Sequence, residues 1–215
     1  MNLSEKLIKQ CRKPTGFFGR IVLRSMNRGH KVAEWGLTHI SIRPDEVILD
    51  VGCGGGKTVN RLAKRATKGK VYGVDYSEDS VKMAMKQNKK LIEADRVEIF
   101  HASVESLPFP DNFFNIVTAV ETYYFWPNLI ENLKEILRVL KPEGQLFLIN
   151  EMYKHEKFEK RNAKWTKLGK FEVHSPKEFK KFLIDSGYTS VEIDLLEDKN
   201  WIVASGRKAN YISTS

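Results

Sequence analysis

The stretch "DVGCGGGKTVN", Asp50 to Asn60, places four glycines within five residues, between an apolar run and a helical pattern. A loop so short of side chains lets a small molecule approach the backbone closely. Three templates can be tested on it by position. A P-loop ends in Gly-Lys-Ser/Thr, which Gly56-Lys57-Thr58 supplies, but its first glycine would fall on Val51, a β-branched residue leaving a strand. The dinucleotide fingerprint G-x-G-x-x-G fails in both registers, because Lys57 and Val59 stand where its third glycine is required. What remains is D-x-G-x-G-x-G, made by Asp50, Gly52, Gly54 and Gly56.

Outward from the loop, apolar runs alternate with helical patterns. Strands are expected at 46–51, 70–75, 96–102, 114–120 and 145–150, with helices at 57–66, 77–91 and 128–140 between them. In the last helix Leu129, Ile130, Leu133, Ile136, Leu137 and Leu140 repeat at the helical period, and "KPEG" (141–144) is read as its end. Such alternation implies a mostly parallel sheet covered on both faces. A further helix is expected at 175–187. It precedes two strands, 190–197 and 201–207, whose "DKN" connection is too short for a parallel crossover, so they must run antiparallel. The expectation is an α/β, Rossmann-like, doubly wound seven-stranded sheet. It is mostly parallel, with a C-terminal antiparallel hairpin and helices on both faces.

The chain has 215 residues and 41% hydrophobic content, which suits one domain with modest additions. Two cysteines, Cys11 and Cys53, form no disulfide framework or zinc spacing and fit a reducing compartment. The start of the chain lacks a signal-peptide pattern, and no run reaches the ~20 apolar residues of a membrane span, so a cytoplasmic protein is expected. The net charge of +9 is uneven: residues 1–31 carry +7 and residues 154–170 carry +5, which leaves −3 for the rest. The five histidines show no ligand spacing, and no metal is expected.

"VILDVGCGGG" resembles the first motif of class I S-adenosylmethionine (SAM)-dependent methyltransferases. "VYGVDYS" is similar to their second motif, and "VESLPFPDNFFNIV" to the "LPF-x-D" segment of the methyltransferase type-11 group, which includes quinone-biosynthesis C-methyltransferases. "LKEILRVLKPEGQLFLI" resembles that family's fifth helix–strand unit. The resemblance is strong over 45–150 and weaker over 175–207. It implies SAM as cofactor and S-adenosylhomocysteine as product, with Asp50, Gly52, Gly54, Gly56, Asp75, Tyr76, Ser103, Val104 and Glu121 at the cofactor. Asp75 would accept the ribose hydroxyls. Ser103 departs from the family, which often carries an acid there, and Asn115 stands where "FD" is common.

The run after strand four, "VETYYFWPN", implies the acceptor side. Glu121, Tyr123 and Tyr124, with His30, are the candidate catalytic residues, and Met26, Asn27, Tyr123, Tyr124 and Trp126 the candidate acceptor pocket. Residues 1–44 are expected as an N-terminal helical lid segment, and 45–215 as the SAM-binding domain with an insertion at 151–174, one structural domain overall. The implied function is methyl transfer to a small acceptor. The two basic segments suggest that this acceptor is anionic. An RNA or protein methyltransferase, and a non-catalytic SAM-binding protein, remain as alternatives.

Overall fold

Ile48, Leu49 and Val51 are almost wholly shielded from solvent, so the strand that enters the glycine loop is covered on both faces. The computed structural model describes residues 31–210. Strand β1 (Ile48–Val51) lies at the centre of one seven-stranded sheet with β2 (Val71–Asp75), β3 (Val97–His101), β4 (Phe114–Val120), β5 (Leu140–Asn150), β6 (Tyr188–Leu196) and β7 (Trp201–Lys208). The order is β3-β2-β1-β4-β5-β7-β6. Strands β1 to β5 pair in parallel, while β7 runs antiparallel to both β5 and β6. The expected sheet and hairpin are therefore present. The strand order reverses at β1, with β2 on one side and β4 on the other, and this is where open α/β sheets bind ligands.

One face carries α1 (Lys31–Gly36), α2 (Lys57–Arg65), α3 (Glu78–Gln87) and α4 (Lys89–Glu93); there Val32, Leu37, Leu62 and Ala84 pack on Ile48, Val71 and Ile149. The other carries α5 (Leu129–Val139) and α7 (Pro176–Asp185), whose Leu133, Ile136, Phe179 and Leu183 cover Leu49, Val117 and Leu148. Helix α7 starts on a capping box between Ser175 and Glu178, with Pro176 at its first position. Helix α6 (Glu159–Gly169) lies within the 151–174 insertion.

Two local expectations change. The helix expected at 77–91 breaks at Asn88, whose side-chain amide donates to the Gly56 and Ala84 carbonyls, both at 2.9 Å. "KPEG" does not separate α5 from the sheet: β5 begins at Leu140, and these residues form a bulge between the pairs Phe114↔Leu140 and Ile116↔Gln145. The described part of the segment expected as a lid packs against β5 and β7, with Trp35 5.9 Å from Trp201, which begins β7 beside the C-terminal end of β5. Met26, Asn27 and His30 lie outside the described residues.

Ile136 is fully buried between α5 and the sheet. Ile136→Ala should cost roughly 2–5 kcal/mol. In urea unfolding this appears as a lower midpoint with an unchanged slope.

Candidate active site

The glycine loop turns out of β1 through three residues of positive φ: Gly52 at 70°, Gly54 at 52° and Gly56 at 78°. The amides of Gly52 and Cys53 both donate to the Val74 carbonyl, at 2.8 and 2.9 Å, and the Gly54 amide donates to Asp75 Oδ2 at 2.9 Å. The loop is thus tied to the end of β2.

Each glycine has its own reason. A Cβ at Gly52 would collide with the Thr122 side chain, 2.2 Å from Oγ1. At Gly56 it would meet Ala84 Cα at 2.8 Å, so this glycine lets α2 start against α3. At Gly54 a Cβ would meet nothing within 4 Å. Gly54 is therefore where the loop backbone is open to a ligand, and Gly56 serves packing.

Beside the loop lies a cleft lined by Gly52, Val74, Asp75, Tyr76, Ser103 and Val104 on one side and by Thr122, Phe125, Trp126 and Pro127 on the other. It encloses about 180 Å³. That is below the ~300–1,000 Å³ of most small-molecule pockets, so a nucleoside-sized ligand would also extend outside it. Ser103 Oγ donates to Glu105 Oε2 at 3.0 Å, and Glu105 lines the cleft too. Glu105, Thr122 and Phe125 were not among the sequence candidates. Thr122 and Phe125 sit inside the aromatic run and were readable by position, whereas Glu105, though within "VESLPFPDNFFNIV", stands at none of the positions that the "LPF-x-D" pattern specifies.

Asp75 and Asp50 are both buried and neither forms an ion pair among the described residues. Asp75 accepts from Gly54 and, through Oδ1, from the Ser77 amide at 2.9 Å. Burial nevertheless raises its pKa, against the pull of those bonds. Asp50 accepts from Thr118 Oγ1 at 2.7 Å, yet burial, reinforced by the nearby Asp75 charge, pushes it up to about 7. Burial also pushes the Cys53 thiol up, which leaves it a poor nucleophile.

The residues after β4 divide. Glu121, at φ 56°, accepts from Tyr124 Oη at 3.3 Å and from the Glu151 amide; burial and the Glu151 charge push it up to about 8. Tyr123 does not wall a pocket. It is buried in the core, with its ring 5.0 Å from that of Phe179, because the short 3₁₀ turn at Tyr123–Phe125 points it inward. Tyr124 stacks on Phe171 of the insertion at 5.0 Å, away from the cleft. Of the three aromatics named as pocket wall, Trp126 alone lines the cleft.

No group of three or more metal-ligating side chains occurs among the described residues, and none of their helices is long and apolar enough to cross a membrane.

A reversed strand order, a glycine loop out of β1, a buried acid ending β2 and an antiparallel β7 together define the Rossmann-like methyltransferase fold. Residues 49–148 match the family model described as "Methyltransferase domain". The chain is 30% identical over 112 residues to the uncharacterized methyltransferase YdaC of Bacillus subtilis (strain 168), covering 52% of this chain and 60% of that protein. It is 39% identical over 106 residues to the demethylmenaquinone methyltransferase of Listeria monocytogenes serotype 4a, covering 48% of this chain and 44% of that protein. The chain thus spans about half the length of the curated relatives it matches. Among solved structures, the methyltransferase in complex with the Haloferax volcanii Trm112 activator superposes with a TM-score of 0.74 at 20% identity, over 88% of this chain and 93% of that one.

The Asp50 carboxyl sets a pH dependence with a definite sign. Its folded pKa, about 7, lies above the unfolded value of 3.8, so between these the unfolded chain loses the proton first and stability falls as pH rises. Asp50→Asn should flatten the stability profile across that window. Glu121 has the same sign up to about pH 8, so part of the slope should persist. Urea midpoints measured across the range check this, and an unchanged slope would contradict the assignment.

Proposed function

We propose that this protein is a methyltransferase that takes its methyl group from SAM, passes it to a small acceptor by in-line displacement and releases S-adenosylhomocysteine. The observation that carries the reading is the Gly54–Asp75 pair: an open backbone position bonded to a buried carboxylate that has spare acceptor capacity and no ion-pair partner among the described residues. The chemistry SAM supplies is an already activated methyl group on a sulfonium, so the protein contributes mainly position and orientation.

In this reading Asp75 accepts the ribose hydroxyls through lone pairs its backbone bonds leave free. Tyr76 and Val104 flank the base from the β2 and β3 ends, with Ser103 and Glu105 beside them. Asp50, buried and close in charge to Asp75, favours the cationic amino-acid end of the donor, which would draw its pKa back down. Gly52 contributes by holding Thr122 against the loop. Trp126 and Phe125 form the wall nearest the acceptor, with ring faces favourable to a sulfonium methyl. Glu121 is largely protonated at neutral pH, so it would take a proton from an acceptor only toward pH 8 and above.

An anionic acceptor draws no support from the cleft lining, which holds Asp75 and Glu105 and neither lysine nor arginine. The acceptor is therefore a small molecule, whose charge isotope-labelled SAM against metabolite extracts would identify.

Asp75→Ala removes a charged acceptor worth ~1.5–3 kcal/mol, so SAM should bind roughly 10- to 150-fold more weakly. Calorimetry on the folded variant checks this; unchanged affinity removes Asp75 from the site, and no binding by the wild type defeats the reading. Trp126→Ala, by contrast, should lower turnover while SAM affinity stays within about threefold, a change of ~0.65 kcal/mol.

A further inference from the structure

Helix α6 presents an arc of side chains that the catalytic reading does not use. At 3.6 residues per turn, Lys167, Lys160, Lys164, Leu168, Arg161 and Trp165 follow one another around about 160° of its circumference. This arc contains no acid. Lys160, Lys164 and Lys167 point opposite the buried Asn162 and Gly169, are exposed, and form no ion pair among the described residues. Helices α3, α5 and α7 each pair one lysine with an acid one turn away, as Lys82–Glu78, Lys134–Glu131 and Lys181–Asp185, although Lys86, Lys177 and Lys180 on α3 and α7 form no ion pair among the described residues; what sets α6 apart is that its three such lysines share one acid-free arc. On the flank of the arc, Trp165 remains 41% exposed. Arg161 is stacked over the Phe158 ring at 4.7 Å.

A second strip of the same helix borders a groove. Glu159, Ala163 and Thr166 line a cavity of about 820 Å³ together with Phe171 and Glu172. The Phe171 ring lies 5.8 Å from Phe125, which in turn lines the cleft at the glycine loop. Helix α6 therefore borders a solvent-open groove that adjoins the proposed site.

We propose that α6 seats the protein on an anionic lipid surface, with the lysines at the headgroups and Trp165 at the interface. Lysine stems reach past apolar neighbours to place their charge at headgroup level, and tryptophan favours the same layer because one edge is apolar and the other polar. The observations favour a lipid surface over a nucleic acid. A lipid surface needs only to touch the outer arc. An RNA would also have to present a nucleotide, with its phosphates, to linings that hold Asp75, Glu105, Glu156, Glu159 and Glu172 against the single cation Lys154. So docked, the cavity mouth would lie beside the membrane, open to an acceptor that partitions there.

The test is sedimentation of the full chain with vesicles, independent of any methyl transfer. Wild type should bind equimolar phosphatidylcholine–phosphatidylglycerol vesicles at low salt, and bind vesicles of phosphatidylcholine alone far less. A lysine near such a surface contributes about fivefold to affinity, so the combined variant Lys160→Gln, Lys164→Gln, Lys167→Gln should bind at least about 50-fold more weakly. Brominated lipid should quench the fluorescence of the wild type and lose most of that quenching in Trp165→Phe. The variants change exposed side chains, and matching urea midpoints confirm that they are folded. The proposal is overturned if wild type ignores the anionic vesicles, if the triple variant binds them as well as wild type, or if lysine-dependent binding is seen with RNA and not with vesicles.

Discussion

The arrangement of the strand ends depends on one hydrogen bond, the 2.9 Å contact from the Gly54 amide to Asp75 Oδ2. Without it the loop would have only the Val74 carbonyl to hold it at β2, and that oxygen already receives the amides of Gly52 and Cys53. With it, the loop stands away from the strand ends and leaves its backbone open at Gly54. The same carboxylate accepts the Ser77 amide, and Ser77 caps α3. Helix α3 is then in place for Ala84 and Asn88 to pack on Gly56. One buried acid thus fixes the loop, the start of the next helix and the seating of the first helix on it.

How far the sequence could carry this follows from the range of each interaction. The sheet was legible because alternation of strand and helix patterns is a local signal, and the antiparallel ending because a three-residue connection admits nothing else. Asp50, the glycines and Asp75 were legible as a motif, but the division of labour among the glycines was not. Gly52 answers to Thr122 and Gly56 to Ala84, residues far along the chain. Tyr123 shows the same limit from the other side. Its sequence neighbours Tyr124 and Trp126 suggest a pocket wall, yet its partner Phe179 arrives from α7 and draws it into the core. The helix break at Asn88 and the bulge at 141–144 are likewise set by contacts across the fold rather than by propensity.

Charge is organised in layers. The basic residues of 154–170 are largely on the outer arc of α6, while the concave surfaces behind it and beside the glycine loop are lined by carboxylates. Sequence counting assigns a net +5 to that segment but cannot say which way it points. The helix period decides it, since residues 160, 164 and 167 lie on one side and 159, 163 and 166 on another. An overall basic chain can therefore present a negative interior to its ligand.

That negative interior has a consequence for turnover under the proposed chemistry. Asp50 and Asp75 lie at the β1 and β2 ends, and Glu121 and Glu151 at the β4 and β5 ends; burial raises the pKa of Asp50, Asp75 and Glu121 and outweighs the hydrogen-bond donors and, for Glu121, the Arg161 charge that oppose it. A group held in this state gains from any positive charge brought close to it. The methyl donor carries that charge on sulfur, and the product left after transfer does not. The crevice is thus better matched to the donor than to the product, so the electrostatics that help to bind SAM would also weaken the hold on S-adenosylhomocysteine once the methyl group has gone. The carboxyls disfavoured by burial would then act at both ends of the cycle, drawing in a cation and releasing what it becomes.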